Sequence, residues 1–228
     1  MINPERTENM QSRAYQEIIK RILRAEYVPG EKISEKSLEA DLQLGRTPIR
    51  EALIQLRKDG LIEVIPQSGT YITKINIKRA TDARFIRQSV ERKIMVEAAA
   101  KATEANVQIV MANIDAQVTA AKAKDHDKFF ELDEAFHYSF YQMTAKENVW
   151  DWLQTINIQL NRFRWLRLQI TKLDWSSLIT DHRHLLKAVA THDPEEAERL
   201  SMNHLHLMLE EEQPLFEAFP EYFTDIQN

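Results

Sequence analysis

Four side chains able to ligate a metal, Asp133, His137, His182 and His204, are spaced so that helices can bring them to one point. Asp133 and His137 are four residues apart, which on a helix places them on the same face, one turn from each other. His182 and His204 fall on either side of His192-Asp193-Pro194, a strong helix break, about ten residues before its middle and about eleven after it. Two antiparallel helices meeting at that break would hold the two imidazoles at nearly the same height. Three nitrogens and one carboxylate suit a divalent transition metal, with zinc or nickel the best matches.

The face on which each residue falls supports this convergence. Before the break the apolar row is Leu178, His182, Leu185, Val189; after it, Ala197, Leu200, His204, Leu207. Both histidines therefore point inward, whereas His184 and His206 fall mostly among Thr180, Lys187, Arg199 and Glu210. Asp133 is flanked at helical spacing by Phe129, Phe136 and Phe140. An unpaired carboxylate there would carry a desolvation cost that forces a partner or a raised pKa. A single histidine on an apolar face is ordinarily a hydrogen-bonded core residue; four ligands with jointly restrictive spacing favour a metal centre.

The elements that must position these residues are mainly α-helical. Across 228 residues there are only four glycines and seven prolines, and Ala, Leu, Glu, Lys and Gln are abundant. There are no cysteines, so neither disulfides nor thiolate ligands exist, which fits a reducing compartment. No membrane-spanning stretch is expected, and Met1 to Arg13 lacks the apolar centre of a signal peptide, so a cytoplasmic location is expected. Residues 1–76 carry a net charge of +1 and residues 77–228 a net of −6. Bulk charge therefore does not suggest nucleic acid, and local placement must carry that argument.

The first part reads as helix, helix, turn, helix and two-stranded wing. Ser12 to Ala25 is amphipathic, with Ala14, Ile18, Ile19, Ile22 and Leu23 on one side, and Pro29-Gly30 ends it. Ser34 caps a short helix facing inward with Leu38 and Leu42, followed by a tight connection at Gln43-Leu44-Gly45. Thr47 as N-cap and Pro48 at the first helical position open the next helix, which ends at Asp59-Gly60. Leu61 to Ile65 and Thr70 to Thr73 are strand-like and joined by Pro66-Gln67-Ser68-Gly69. This is a winged helix-turn-helix over residues 1–75, joined to an all-α antiparallel helical bundle over 76–228. In the bundle, helices are expected from Asn76 to about Lys101, from Asn106 to Ala123, from Asp127 to Met143, and, capped by Thr144 and Glu147, through Ile170. The last helix starts at Asp193-Pro194-Glu195-Glu196, and the aromatic tail after Pro214 is expected to dock.

In a helix-turn-helix the second helix enters the major groove, and its first residues reach base edges. Here these are Arg46, Thr47 and Arg50, and an arginine fork matches guanine O6 and N7. Lys36, early in the preceding helix, is placed to touch the DNA backbone, and Ser68 and Gly69 at the wing tip to approach the minor groove.

The run Gly45-Arg46-Thr47-Pro48-Ile49-Arg50-Glu51-Ala52-Leu53, then Leu56, Gly60-Leu61 and Gly69, with Pro29-Gly30 and Ile33-Ser34-Glu35 before it, resembles the DNA-binding domain of the GntR family of bacterial transcription regulators. The helical remainder resembles the FCD domain of the FadR subfamily, whose metal-ligand motif Asp133, His137, His182 and His204 match one by one. The resemblance covers nearly the whole chain. It implies a homodimer on a palindromic double-stranded operator, effector control of DNA affinity, and DNA contacts from Lys36, Arg46, Arg50 and Gly69. The segment Ile86-Arg87-Gln88-Ser89-Val90-Glu91 is similar to the start of that domain, where an arginine often pairs with an acidic effector; Arg87 takes that place. An Arg87–Glu91 pair on the helix surface is the alternative. Arg167 is a second candidate by periodicity alone.

The expected mechanism is a repressor in which a small carboxylate effector binds at the metal site, an arginine neutralises it, and the recognition helices are reset. Two alternatives remain: the ion is itself the signal, or the centre hydrolyses a substrate. Hydrolysis needs a general base beside the ion, and Glu134 points about 100° away from Asp133. The chain is accordingly not expected to be an enzyme.

Overall fold

The computed structural model describes residues 4–170, 175–210 and 212–226. It divides the chain into two units: residues up to Ile77 together with Phe219 onward, and Lys78–Ala218.

The first unit opens with α1 (Pro4–Leu23), β1 (Lys32–Ile33), α2 (Glu35–Leu42) and α3 (Arg46–Lys58). Ala14, Ile18 and Ile22 of α1 pack with Leu38 of α2 and Ile49, Ala52 and Leu56 of α3 in a fully buried core. The start of α2 is a capping box: the Ser37 amide donates to Ser34 Oγ at 3.0 Å, and the Ser34 amide to Ser37 Oγ at 3.1 Å. Gln43, at φ 52°, then reverses the chain in a left-handed conformation. The start of α3 differs from the sequence expectation. Gly45, not Thr47, is its N-cap, and Pro48 stands third in the helix. The physics still permits it, because the first four helical N–H groups have no intrahelical acceptor and a proline at any of them loses no hydrogen bond.

The wing is β2 (Ile62–Ile65) paired antiparallel with β3 (Gly69–Ile72) in the register Ile62↔Ile72 and Ile65↔Gly69. β1 adds to the other edge of β3, giving the order β1-β3-β2. Two residues are too short for a strand to announce itself by periodicity, so the sequence did not show β1. Gly69 lies at φ +144°, and a Cβ there would stand 2.6 Å from Lys32 Cε. The backbone conformation requires glycine at that turn, whereas the Lys32 side chain could move aside for a Cβ.

A second, parallel ribbon joins β4 (Ile75–Asn76) to the chain's last strand, β5 (Phe223–Thr224). The aromatic tail thus docks, but within the first unit and not in the helical domain that residues 76–228 were expected to form. Ile75 donates its amide to Tyr222 O at 2.8 Å, Asn76 hydrogen-bonds the Asp225 carboxylate, and Ile75 and Phe223 are both buried. Truncation after Ala218 is expected to lower the unfolding free energy of this unit by about 2–4 kcal/mol, from the exposed Ile75 and the lost Phe223. Chemical denaturation followed in the first unit checks this; an unchanged midpoint would mean that the ribbon contributes nothing.

The second unit comprises α4 (Ile77–Lys101, entering from the first), α5 (Glu104–Ala123), α6 (His126–Met143), α7 (Glu147–Ile156), α8 (Ile158–Gln169), α9 (Trp175–Ala190), α10 (Pro194–Glu210) and α11 (Glu212–Ala218). No helix among the described residues is long and apolar enough to cross a membrane. Its core holds Ile94, Val110, Phe129, Phe136, Phe140 and Val189. α5 packs on α6 and α9, and α9 on α10. α5 and α6 start slightly before their expected positions, because Thr103 and Asp125 accept the Asn106 and Lys128 amides as caps. Asp193 likewise accepts the Glu196 amide at 3.0 Å, as its Asp-Pro-Glu-Glu context indicated.

The single helix expected through Ile170 is two. Asn157, at φ −78° and ψ 0°, interrupts it, a conformation that asparagine adopts more readily than strong helix formers do. Nor is Thr144 its cap: the Thr144 hydroxyl donates backward to Phe140 O at 3.0 Å, and Lys146 is the N-cap. In the inward row of the last long helix, the side chain of Leu207 lies outside the described residues.

Candidate metal centre and nucleic-acid interface

α6, α9 and α10 bring His137, His182 and His204 together, one ring nitrogen of each lying within 4.8 Å of the others. All three are buried. Each imidazole engages its Nδ1 with an acceptor outside the cluster: His137 with Glu91 Oε2 at 2.8 Å, His182 with Gln117 Oε1 at 2.8 Å, and His204 with Asp181 Oδ2 at 3.4 Å. That leaves the Nε2 atoms for the centre, and His182 Nε2 is buried without a hydrogen-bond partner. An imidazole steered by an outer acceptor, with its other nitrogen bare, is arranged as metal-bound histidines are. Burial drives the His182 pKa well below its ordinary value, and His204 beside it adds to the effect. Burial also lowers His137, against the opposing pull of Glu91. Both are therefore held in the neutral form that binds metal.

Asp133 stands beside this cluster without being one of its members. Its Oδ1 lies 3.4 Å from His182 Nε2, and its Oδ2 is ion-paired with Arg164. Burial pushes its carboxyl upward, but the opposing charge of its neighbours, Arg164 foremost, holds the pKa below the usual carboxylate range. Asp133 thus remains an anion poised at the cluster's edge. The donor set fits a divalent transition metal: three imidazoles, one of them with an orphaned buried nitrogen, and one adjacent carboxylate.

Sequence reasoning did not single out Arg164. It donates from Nη1 to Glu134 Oε1 at 2.5 Å, and Glu134 also accepts from Arg87 Nη1 at 3.4 Å. Arg87 Nε in turn donates to Glu91 Oε1 at 2.6 Å, and Glu91 holds His137. Alternating charges thus run from Asp133 to His137 through α8, α6 and α4. The Arg87–Glu91 pair does form at i and i+4, but with both residues buried, so it is no surface pair. The signal that could have found Arg164 is its place one turn from Leu160 and Leu168, on the face that carries Arg167.

A cavity of about 70 Å³ opens at this site, room for a few waters or a small organic anion. Arg84, Arg87, Arg164 and Arg167 line it together with Asp133, His137 and His204, on walls of Phe129, Phe163 and Leu178. Both arginines proposed from sequence, Arg87 and Arg167, are therefore at the cavity. Arg87 Nη2 is buried there with no partner.

In the first unit Arg46, Thr47 and Arg50 occupy the exposed N-terminal turns of α3, and Lys36 is exposed on α2. Ser68 at the wing tip shares a 2.7 Å hydrogen bond with Tyr71 Oη, and Gly69 follows it. Lys32 lies against Gly69, a basic residue at the wing that only the unforeseen β1 brings there. Arg46 and Arg50 share one carboxylate, that of Glu35.

A winged helix-turn-helix joined to a helical domain whose apolar-walled cavity carries arginines and histidines is the architecture of a DNA-binding transcription regulator. Comparison with known families agrees. The model described as bacterial regulatory proteins, gntR family, matches residues 10–72, and that of the FCD domain matches residues 82–207. The HTH-type transcriptional repressor RspR of Escherichia coli K12 is 29% identical over 98% of this chain and 97% of its own. The HTH-type transcriptional regulator YdfH of Escherichia coli O6:H1 is 30% identical over 91% of this chain and 92% of its own. Among solved structures, Escherichia coli McbR/YncC superposes with a TM-score of 0.76 at 15% identity, covering 92% of this chain and 98% of that one, which supports the fold alone. The chain belongs to the GntR family of bacterial regulators, with an FCD domain as its C-terminal part, and is a regulator and not an enzyme.

Proposed function

We propose that this regulator is a cytoplasmic homodimeric repressor, bound to a palindromic operator and controlled by a small carboxylate in the cavity of its FCD domain. The observation that carries the reading is the three-histidine cluster, with every Nδ1 engaged outward and His182 Nε2 buried without a hydrogen bond. His137, His182 and His204, with Asp133 at their edge, would hold a divalent transition metal, zinc or nickel by donor type. Bound there, the ion would supply a Lewis-acidic point that attracts a carboxylate oxygen. Arg87 would neutralise the ligand's charge through its unpartnered Nη2, with Arg167 beside it. Arg164 would be drawn between the incoming carboxylate and its present partners, Asp133 and Glu134. Redistribution of these buried ion pairs alters how α4, α6 and α8 pack. Operator affinity then changes by the ligand's differential affinity for the two packings. On the DNA side, Arg46, Thr47 and Arg50 would read bases, with Lys36, Ser68 and Gly69 on the backbone and minor groove. The similarity to a named repressor supports repression.

The test is calorimetry of metal-loaded protein against hydroxy acids, sugar acids and dicarboxylates, followed by operator binding with each acid that binds. At least one acid is expected to bind and to shift operator affinity, and Arg164→Lys to weaken it about tenfold, since a point charge replaces a fork. Binding of neutral sugars or phenols, with no acid bound, would refute a carboxylate effector.

A further inference from the structure

We propose that Glu35, the first residue of α2, is a positioning residue for base recognition, acting through Arg46 and Arg50. The inference rests on the DNA-binding role of α3. Glu35 accepts the Nε–H of Arg50 at 2.9 Å on Oε1 and 3.0 Å on Oε2, and the Nε–H of Arg46 at 3.2 Å on Oε2. Among the described residues, neither arginine makes a hydrogen bond through Nη1 or Nη2. A guanidinium held by Nε keeps its two Nη groups for an end-on pair of bonds, the pairing that reads O6 and N7 of guanine. One carboxylate therefore orients both forks before DNA arrives and removes rotamer freedom that binding would otherwise have to remove. Arg46 and Arg50 are more than half exposed, so burial does not position them. Hydrogen bonding by Arg50, then by Arg46, holds the Glu35 carboxyl below the usual range, and it remains an anion at neutral pH.

A negative charge at this place carries an electrostatic disadvantage. α3 meets a polyanion, and an acid between its two cations weakens sequence-independent attraction to phosphate. An acid at the first turn also suits the α2 dipole, which by itself would explain Glu35 as a helix-stabilising residue. Only orientation predicts a change in discrimination, whereas repulsion and the dipole act equally on every duplex and with opposite sign, so the three separate experimentally.

The experiment selects binding sites for the full-length protein from a pool of duplexes randomised over about 20 base pairs. It then measures affinity for the recovered site, for single-base variants at each guanine, and for a scrambled duplex. Glu35→Ala is expected to bind the scrambled duplex as well as wild type or better, while preference for the guanines falls about tenfold. Glu35→Gln keeps an Nε acceptor without the charge and is expected to restore part of the preference. With Arg46 and Arg50 both replaced by Ala, Glu35→Ala is expected to leave discrimination unchanged, because Glu35 has no other route to the bases. Equal tightening on every duplex with discrimination intact would overturn the proposal and leave only repulsion. A fall in helix content or melting temperature in Glu35→Gln, with equal loss on every duplex, would also overturn it in favour of a role in α2. Failure of wild type to enrich any sequence would instead overturn the DNA-reading role of α3 itself, and this proposal with it.

Discussion

His182→Ala protein is expected to purify with little or no divalent metal, while wild type carries about one ion per chain. His182 is fully buried, stacks on Phe136 with ring centroids 3.9 Å apart, and has its Nδ1 fixed by Gln117. His184, two residues on, cannot take its place, because it is exposed on the opposite face. The substitution also leaves a void and strands the Gln117 carboxamide, so about 2–4 kcal/mol of stability is lost before the metal is considered. A ligand present at a hundred times its dissociation constant stabilises the folded state by about 2.7 kcal/mol. Two readouts therefore separate packing from coordination. Elemental analysis counts the ion, and added zinc or nickel should raise the melting temperature of chelator-treated wild type but not of His182→Ala. His184→Ala should retain both responses. Full metal occupancy in His182→Ala would end the ligand assignment, and a chelator-treated wild type indifferent to metal would end the site.

Helical spacing made part of this centre legible. A four-residue step and two histidines straddling an Asp-Pro break constrain where side chains can point, and His137, His182 and His204 converge as that arithmetic requires. Asp133 is the informative exception: its face could be read from sequence, but its partner could not. Arg164 lies on α8, and which carboxylate it meets is set by the packing of α8 on α6, which the periodicity of α8 alone does not report. Glu91 and Gln117 were hidden for a related reason. Outer partners of histidines are set by helix packing between segments distant in sequence, and periodicity within one helix does not report it. The winged unit was legible where local signals are strong, as at the Ser34 cap and the wing turn. It was not legible where pairing is remote, as at β4 and β5, whose Asn76–Asp225 bond spans 149 residues.

Arg50→Ala is expected to weaken binding to the selected operator by about 30-fold to 25,000-fold, while binding to a scrambled duplex changes only slightly. A bidentate arginine–guanine pair contributes roughly 1–3 kcal/mol of discrimination, and a homodimer on a palindrome loses the pair at both half-sites. Arg50 is exposed on the second turn of α3, so its removal leaves the Ile49, Ala52 and Leu56 packing intact and the fold unaffected. The appropriate contrast is Lys36→Ala, also exposed but on α2. It should weaken specific and scrambled duplexes alike and reduce the slope of log affinity against log salt by about one for each phosphate no longer neutralised. Fluorescence anisotropy at two salt concentrations measures both effects. A residue that merely adds positive charge must behave as Lys36 does, whereas a base reader changes the ratio between sequences. If Arg50→Ala lowered affinity equally on operator and scrambled DNA, α3 would be gripping the backbone, and sequence would have to be read by the wing or by the shape of the duplex.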